Sequence, residues 1–373
     1  MEEREHPPRK ADRDLFGQLN AVSEAIKAHE AELLKHLPTG SWEDIGHLPE
    51  ISTDIELYDP TTLRARIEEA QRGDEKGLKA ELVKARALGA TRQVARPPEL
   101  SSLQRLQEDF PHFKSVIKLV TERRAVANLT PGRPYKLPPI LLAGGPGVGK
   151  TAFAEALAAC LAQPIKRIDV ATSTAGFALA GSHESWSSGR HGAIWSLLQH
   201  RSAAGVLLLD EIDKASTGNF PVLGCLYGLL ESVSARRFVD EYIQVPVDAS
   251  RLSVVATCND VTRIDSALLS RFRLFEISQP TPEEIPAIAR SVYAQLHAQE
   301  PWGQVYPETL PSEVLAVLQP YSPRELSSLL QDAIARAAVH NRKHLLAEDI
   351  VVQAEAIAGQ RQRAQARNAI GFL

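Results

Sequence analysis

The spacing of hydrophobic positions changes near residue 110 of this chain. In the first hundred residues, apolar positions recur at three- and four-residue steps among charged residues, as over residues 11–37, which predicts amphipathic helices. Farther along, almost wholly apolar runs alternate with helical segments, and these runs are PPILLAGG, IKRIDV, AGVLLLDE and RLSVVATCN. Such runs predict an α/β fold, a parallel sheet with helices on both faces.

A second change comes at residue 280, where the strand-like runs stop and helical spacing continues. Ser322, Pro323 and Glu325 open one helix with the spacing of a capping box, and Thr281 and Glu284 repeat that spacing. The chain therefore divides into four predicted regions: a helical N-terminal region for adaptor or oligomer contacts (1–100), an α/β domain (101–279), an all-α domain (280–357) and a C-terminal tail (358–373).

Composition limits the classes of partner and compartment. The 373 residues hold 42 Lys and Arg against 46 Asp and Glu, a net charge of −4 that argues against a nucleic-acid or membrane partner. Apolar runs stay shorter than the roughly 18 residues of a membrane span, and the opening MEEREHPPRKADRDLF lacks the apolar core of a secretory signal. Cys160, Cys225 and Cys258 lack the paired spacing of a zinc site, so we expect reduced thiols and a cytoplasmic location.

The stretch GGPGVGKT, residues 144–151, suggests phosphate chemistry. It fits G-x-x-x-x-G-K-[ST] with a predicted strand before it and a predicted helix after it. Glycines let the backbone wrap around phosphates at a helix N-terminus, Lys150 supplies a charge to the β- and γ-phosphates, and the Thr151 hydroxyl ligates Mg²⁺. The predicted phosphate-binding residues are Gly145, Pro146, Gly147, Val148, Gly149, Lys150 and Thr151.

A strand that ends in carboxylates is the expected partner of such a loop, and VLLLDEID provides it. Asp210, at the strand tip, would organise the Mg²⁺ shell, mainly through water. Glu211 would act as a general base that polarises the attacking water.

Further polar residues complete a candidate hydrolysis site. Asn259 ends the strand LSVVATCN, where its amide can hold the γ-phosphate or the water. Arg271 follows a helical turn, and in a ring it can stabilise charge on a neighbouring subunit's nucleotide; Arg273 is a rival for that role. Arg324 lies in the first turn of a helix, where a cation is unfavourable unless an anion offsets it, so it is a candidate γ-phosphate sensor.

Together these motifs resemble the AAA+ ATPases over residues 109–353, and more narrowly the ATPase module of the Lon proteases. GGPGVGKT is similar to the Walker A segment, LLLDEIDK to the Walker B segment, and RRFVDEYIQVPVDASRLSVVATCND and IDSALLSRF follow the Lon pattern. The resemblance implies a ring, usually hexameric, with ATP bound between subunits. It makes Asn259 sensor 1, Arg271 the arginine finger acting in trans and Arg324 the sensor 2 arginine, and it places His112 and Phe113 of DFPHF near adenine.

Two segments extend the resemblance to partners. LAGSHESWSSGRHG occupies the place of the Lon pore loop, so Trp186 either grips a polypeptide in a central channel or packs under its loop. The terminal NAIGFL is similar to the Ile-Gly-Phe loops by which Clp-type unfoldases bind a separate protease, or it folds back onto the helical domain. Because the chain continues only to Leu373, we expect no proteolytic domain and no peptide cleavage.

The sequence thus predicts an ATP- and Mg²⁺-dependent motor that assembles into a ring and remodels or unfolds a protein substrate. Two other functions stay open. The same nucleotide site can drive a nucleic-acid loader or motor, or an assembly switch that ATP binding closes and hydrolysis resets.

Overall fold

The computed structural model of this chain describes residues 54–73, 75–129, 135–172, 175–183, 189–215 and 222–350. Its strands are β1 (Asp54–Glu56), β2 (Thr91–Gln93), β3 (Ile140–Ala143), β4 (Ile165–Asp169), β5 (Val206–Asp210), β6 (Phe238–Val239), β7 (Pro246–Val247), β8 (Ser253–Cys258) and β9 (Arg273–Glu276). Its helices are α1 (Pro60–Arg72), α2 (Lys76–Leu88), α3 (Leu100–Asp109), α4 (Lys114–Asn128), α5 (Lys150–Cys160), α6 (Ala175–Ala180), α7 (Ala193–Leu198), α8 (Val222–Leu230), α9 (Ser232–Ala235), α10 (Ser266–Leu269), α11 (Ile285–Gln299), α12 (Ser312–Leu318) and α13 (Pro323–Val339).

A five-stranded parallel sheet in the order β4-β5-β8-β3-β9 forms the centre of the α/β domain. This confirms the predicted fold class. Asp169 is aligned with Asp210, and Ala143 with Cys258, so the carboxyl ends of four neighbouring strands meet at one edge. The segments that follow β3, β5 and β8 carry the glycine-rich loop, Glu211 and Asn259, which therefore lie at the same edge.

Alternate residues of the central strands pack into two separate hydrophobic clusters. Leu207 and Leu209 belong to one cluster, whereas Val206 and Leu208 belong to the other. Because successive side chains of a strand point to opposite faces, the two clusters cover the two faces of the sheet. The continuous apolar runs in the sequence follow from this double burial.

Residues 54–93 contribute to one of these clusters. Strands β1 and β2 pair antiparallel around α1 and α2, and the buried Leu63 and Leu82 of the two helices share a cluster with Leu209. Hydrophobic spacing had suggested a separate helical region over 1–100. Each of the two strands has three residues, too few to produce a period-two pattern in the sequence. Residues 1–53, with the helix predicted over 11–37, lie outside the described residues.

The helices after residue 280 pack around a core of their own, which includes Ile288, Leu315 and Leu330. The capping box that opens α13 is confirmed, because the Glu325 carboxylate accepts the Ser322 N–H at 2.8 Å. At α11 the Glu284 carboxylate likewise accepts the Thr281 N–H at 2.9 Å. The chain turns there first, however, and α11 begins only at Ile285, later than the spacing predicts.

Two findings bear on the environment of the protein. In the described part of the chain, no helix combines the length and apolar character needed to cross a membrane. Cys160, Cys225 and Cys258 are free, and burial raises their pKa values to about 11, 12 and 11 respectively. Thiols with such pKa values are protonated at neutral pH and do not act as nucleophiles.

Candidate functional site

A cavity of about 510 Å³ opens at the carboxyl edge of the sheet and is bounded on one side by helices α11 and α13. The predicted site residues that line it are His112, Pro146, Gly147, Val148, Gly149, Lys150, Thr151, Asp210, Glu211, Asn259 and Arg324. The cavity has the size of a small-molecule site. Residues far apart in the sequence thus meet in one place.

The glycine-rich loop connects β3 to the first turn of α5. Gly147 and Gly149 have φ angles of +82° and +93°, a left-handed conformation that residues with a Cβ rarely adopt. Helix α5 begins at Lys150, and its first three residues line the cavity. The unpaired N–H groups of a helix N-terminus attract anions, and this geometry offers them to the cavity.

Lys150 is a buried cation, and no carboxylate among the described residues is in hydrogen-bond contact with it. Its Nζ donates to the carbonyl oxygens of Gly144 and Gly145, at 2.7 and 2.9 Å, and to Asn259 Oδ1 at 3.0 Å. Its side chain is 8% exposed, and burial lowers its pKa, an effect that nearby carboxylates oppose. A buried positive charge held by neutral acceptors favours an anionic ligand.

Asp210, at the end of β5, is the centre of a polar cluster. Its carboxylate accepts hydrogen bonds from the Thr151 hydroxyl at 3.1 Å and from the Thr257 hydroxyl at 2.5 Å. Arg167 of β4 pairs with it, with 2.5 Å between Nη2 and Oδ2. The carboxylate and the Thr151 hydroxyl are oxygen ligands of the kind that Mg²⁺ prefers.

Glu211 follows directly and has a strained backbone. Its φ is +55°, in the left-handed region, and its N–H donates to the Thr257 hydroxyl oxygen at 3.0 Å. Its carboxylate accepts from Lys214 Nζ at 2.8 Å, and the side chain remains partly exposed. Strained backbone of this kind occurs often at functional sites, and here it turns the glutamate into the cavity.

Hydrogen bonds fix both the backbone and the side chain of Asn259. Strand β8, which it follows, lies between β5 and β3. Asp213 Oδ2 accepts the backbone N–H groups of Asn259 and Asp260, at 3.3 and 3.1 Å. The side-chain amide therefore lies beside Lys150 on a fixed backbone.

Arg324 reaches the cavity from the first turn of α13. A Cβ added to Gly147 would lie 3.2 Å from the Cβ of Arg324, so the helix and the glycine-rich loop are in close contact. A movement of the helical domain would therefore displace the glycine-rich loop.

The cavity lining also includes apolar side chains. Phe110, Ile288 and Val292 line the cavity, and His112 Nε2 donates to the Val148 carbonyl at 2.8 Å. Burial lowers the pKa of His112 and keeps the ring neutral, so Nδ1 is an acceptor; it is buried and has no partner among the described residues.

Several predicted residues lie elsewhere. Phe113 is fully buried and stacked on Phe153, with ring centroids 4.1 Å apart, so it supports the core and does not reach the cavity. Arg271 and Arg273 are exposed and do not line the cavity. Trp186 and the tail from residue 351 onward lie outside the described residues.

These residues fit a nucleotide with Mg²⁺. The loop and Lys150 supply donors and positive charge for phosphates, and Asp210 and Thr151 supply oxygen for the metal. Within the described ranges, no group of three or more His, Cys, Asp or Glu side chains is arranged to hold a metal by itself. A magnesium ion here would take its remaining ligands from phosphate oxygens and water, as is usual for Mg²⁺.

Comparison with known proteins identifies the domain that holds this site. Residues 140–279 match the family described as ATPase family associated with various cellular activities (AAA). These residues form an AAA domain. It contains the glycine-rich loop, the Asp210–Glu211 pair and Asn259, whereas Arg324 lies beyond it in the helical domain.

The relatives of the AAA domain include Lon proteases. The chain is 32% identical over 189 residues to Lon protease 4 of Sorangium cellulosum (strain So ce56), and 30% identical over 183 residues to peroxisomal Lon protease homolog 2 of Caenorhabditis briggsae. These matches cover 50% and 48% of this chain and 23% of each relative. The chain thus spans about a quarter of the length of these relatives.

A similar fold occurs in a solved structure of the S. cerevisiae Hsp104:casein complex in its extended conformation. The TM-score is 0.51 at 18% sequence identity, over 65% of this chain and 48% of that chain. At this level of identity the likeness concerns the fold alone.

Three residues of the site were not evident from the sequence: Arg167, Asp213 and Thr257. Arg167 and Thr257 are polar residues inside strand-like runs, and that departure from the apolar pattern was the available signal. Asp213 stood in the quoted LLLDEID run without an assigned role. Their contacts depend on which strands are neighbours, and the sequence did not specify that order.

Proposed function

We propose that this chain binds ATP with Mg²⁺ and hydrolyses it to ADP and phosphate. The observation that carries the proposal is the shared cavity of Lys150, Asp210 and Glu211, in which a buried cation with neutral partners faces a strand-end pair of carboxylates. The membership of residues 140–279 in the AAA family supports it.

Each residue has a chemical role in this proposal. The N–H groups of the loop and Lys150 bind the β- and γ-phosphates, and Arg324 approaches the γ-phosphate from α13. Thr151 and Asp210 would hold the magnesium ion, which neutralises charge on the phosphate oxygens when bound. Glu211 takes the proton from the attacking water, and Asn259 orients that water or the γ-phosphate.

The part of the cavity lining formed by His112 and the apolar side chains suits adenine. His112 Nδ1 is an acceptor without a partner among the described residues, and the amino group of adenine is a donor. Apolar Phe110, Ile288 and Val292 would contact the faces of the base. Phe113 has no part in this contact, because it is buried in the core.

The site also implies an assembly. Arg271 does not line the cavity, and it is exposed and forms no ion pair with a carboxylate in the described part of the chain. We assign it to the nucleotide of a neighbouring subunit in a ring of identical chains, for which a hexamer is the proposed size. Arg273 belongs to β9, the edge strand that pairs with β3, and is the less suitable of the two.

The work driven by ATP is proposed to be the remodelling of a protein substrate. The similarity to the AAA region of Lon proteases supports this. We assign no peptide cleavage to these residues, since the shared region is built for phosphate chemistry. A reducing, cytoplasmic compartment is part of the proposal and agrees with the three free thiols.

The experiment that tests this work measures phosphate release by the purified chain alone, with an unfolded protein such as casein, and with single-stranded or duplex DNA. Stimulation by casein, without its degradation, supports protein remodelling. Stimulation by DNA would favour a nucleic-acid motor instead. Slow turnover that neither polymer changes, with an oligomeric state that depends on ATP, would favour an assembly switch.

A further inference from the structure

Arg271 is held at a defined position although its side chain is exposed. Its Nη1 donates to the Ala267 carbonyl at 2.6 Å, one turn back along the chain. Its Cζ lies over the ring of Tyr227, 5.0 Å from the ring centroid, which is a cation–π geometry. Helix α8, which carries Tyr227, therefore supports an arginine that belongs to a distant part of the sequence.

Tyr227 is itself fixed to the segment that carries Arg271. Its hydroxyl donates to Asp265 Oδ1 at 2.7 Å. The same oxygen caps α10, because it accepts the N–H groups of Ala267 and Leu268 at 2.9 and 3.2 Å. One carboxylate thus links the ring of Tyr227 to the first turn of the helix that precedes Arg271.

The charge of Arg271 remains available in this arrangement. A carbonyl oxygen and an aromatic face contact the guanidinium, and the nearby Asp265 carboxylate attracts it without forming an ion pair in the described part of the chain. Lys150 in the nucleotide cavity shows the same feature, a cation held by neutral groups. A long side chain fixed by neutral partners loses less entropy when it meets an anion, and it does not have to leave a carboxylate first.

We infer that Tyr227 is a positioning residue that presents Arg271 to the nucleotide of the neighbouring subunit. The inference rests on the proposed action of Arg271 in trans. Tyr227 touches no substrate in this assignment and acts through the arginine alone.

The first experiment is a double-mutant cycle on phosphate release with Tyr227→Ala, Arg271→Ala and the double variant. A cation–π contact at an exposed site corresponds to a loss of about two- to five-fold in kcat for Tyr227→Ala. The affinity for a fluorescent ATP analogue and the oligomeric state should not change. In the Arg271→Ala background the second substitution should have no further effect, and Tyr227→Phe, which keeps the ring, should stay within about two-fold of the unmodified protein.

The second experiment mixes subunits. Lys150→Ala subunits should bind nucleotide poorly but supply Arg271, whereas Arg271→Ala subunits should bind nucleotide and lack the arginine, so mixed rings should regain activity at an ATP concentration that only the second kind of subunit binds. Tyr227→Ala should lower that activity when placed in the Lys150→Ala subunit and not when placed in the other. An equal effect in both subunits, no effect in either, or a rise in kcat would overturn the role of Tyr227.

The outcomes separate this inference from the proposed function. Full activity of Arg271→Ala, or no recovery on mixing, would reject the arginine acting in trans and Tyr227 with it. A strong loss for Arg271→Ala together with an unchanged kcat for Tyr227→Ala would reject Tyr227 alone.

Discussion

Arg167 on β4 forms an ion pair with Asp210 on the neighbouring strand β5, with 2.5 Å between Nη2 and Oδ2. The arginine side chain is 53% exposed and the aspartate side chain 7%, so the guanidinium reaches a buried carboxylate from the solvent side. The same carboxylate is the proposed magnesium ligand. A cation of the protein therefore already pairs with the carboxylate that the proposal assigns to the metal.

Substitution of Arg167 should consequently change the need for magnesium. In Arg167→Gln the guanidinium no longer competes for Asp210, and the Mg²⁺ concentration that gives half-maximal binding of a fluorescent ATP analogue should fall by about three- to ten-fold. Lys166→Gln, on the same strand and exposed, is the matched control and should bind as the unmodified protein does. A higher magnesium requirement in Arg167→Gln would mean that the arginine orients Asp210 and does not compete with the metal.

Lys150 should lower the stability of the nucleotide-free protein while it raises the affinity for ATP. Lys150→Met removes a buried cation that burial disfavours, so the nucleotide-free protein should keep its melting temperature or gain about 1–4 °C. ATP affinity should drop by about 10- to 100-fold, because hydrogen bonds to a charged group are lost. Differential scanning fluorimetry with and without ATP measures both effects.

Lys118→Met, on an exposed part of α4, is the control and should leave both quantities unchanged. Stabilisation of Lys150→Met by ATP equal to that of the unmodified protein would show that the lysine does not bind phosphate.

Loss of the Thr257 hydroxyl should lower kcat more than it lowers ATP affinity. In Thr257→Val the Glu211 N–H loses its acceptor and Asp210 loses a donor, which frees the strained backbone that orients the glutamate. An unsatisfied buried group costs about 1–3 kcal/mol, so kcat should fall about ten-fold while ATP affinity stays within about two-fold. Thr257→Ser keeps the hydroxyl and should restore kcat; if both variants turned over ATP equally slowly, the hydroxyl would not be the important group.

The contrast between residues that the sequence revealed and those it concealed has a physical basis. The glycine-rich loop, the Asp210–Glu211 pair and the capping box of α13 are local patterns within a few residues, and local geometry follows from local sequence. Arg167 and Thr257 act on Asp210 from two different neighbouring strands, so their roles depend on strand order and register. The left-handed backbone of Glu211 follows from the same tertiary contacts.

Aromatic residues show a second limit to what can be predicted from the sequence. Phe113 and Phe110 are three positions apart and chemically identical, yet Phe113 stacks inside the core while Phe110 lines the cavity. The turn between α3 and α4 decides which ring faces which side, and the hydrophobic pattern carries no sign of that turn.

The helical domain should lose stability in acid through Asp349. Arg342 binds its carboxylate at 2.7 and 2.6 Å, and this hydrogen-bonded pairing holds the pKa of Asp349 below its ordinary value. A lowered pKa contributes stability above the unfolded value near 4, and that stability is lost as the pH falls through the folded value. At pH 7, Asp349→Ala should therefore lower the free energy of unfolding by about 1–2 kcal/mol, since solvent screens part of the attraction.

Urea unfolding at pH 7 and near pH 3.5 checks this effect. The difference between Asp349→Ala and the unmodified protein should shrink at the lower pH. Glu308→Ala, at an exposed position of the same domain, is the control and should behave as the unmodified protein at both. A difference that stayed constant with pH would show that the ion pair does not stabilise the fold.

The most direct measurement of the proposed ATPase site compares Glu211→Gln with the unmodified protein for ATP retention and phosphate release under identical Mg²⁺ concentrations. If Glu211 takes the proton from water in the cavity that Lys150 and Asp210 line, the variant should hold ATP about as tightly as the unmodified protein. It should also release phosphate at least about 100-fold more slowly. Phosphate release at the unmodified rate, or failure to bind ATP in both proteins, would contradict the proposal that this cavity hydrolyses ATP.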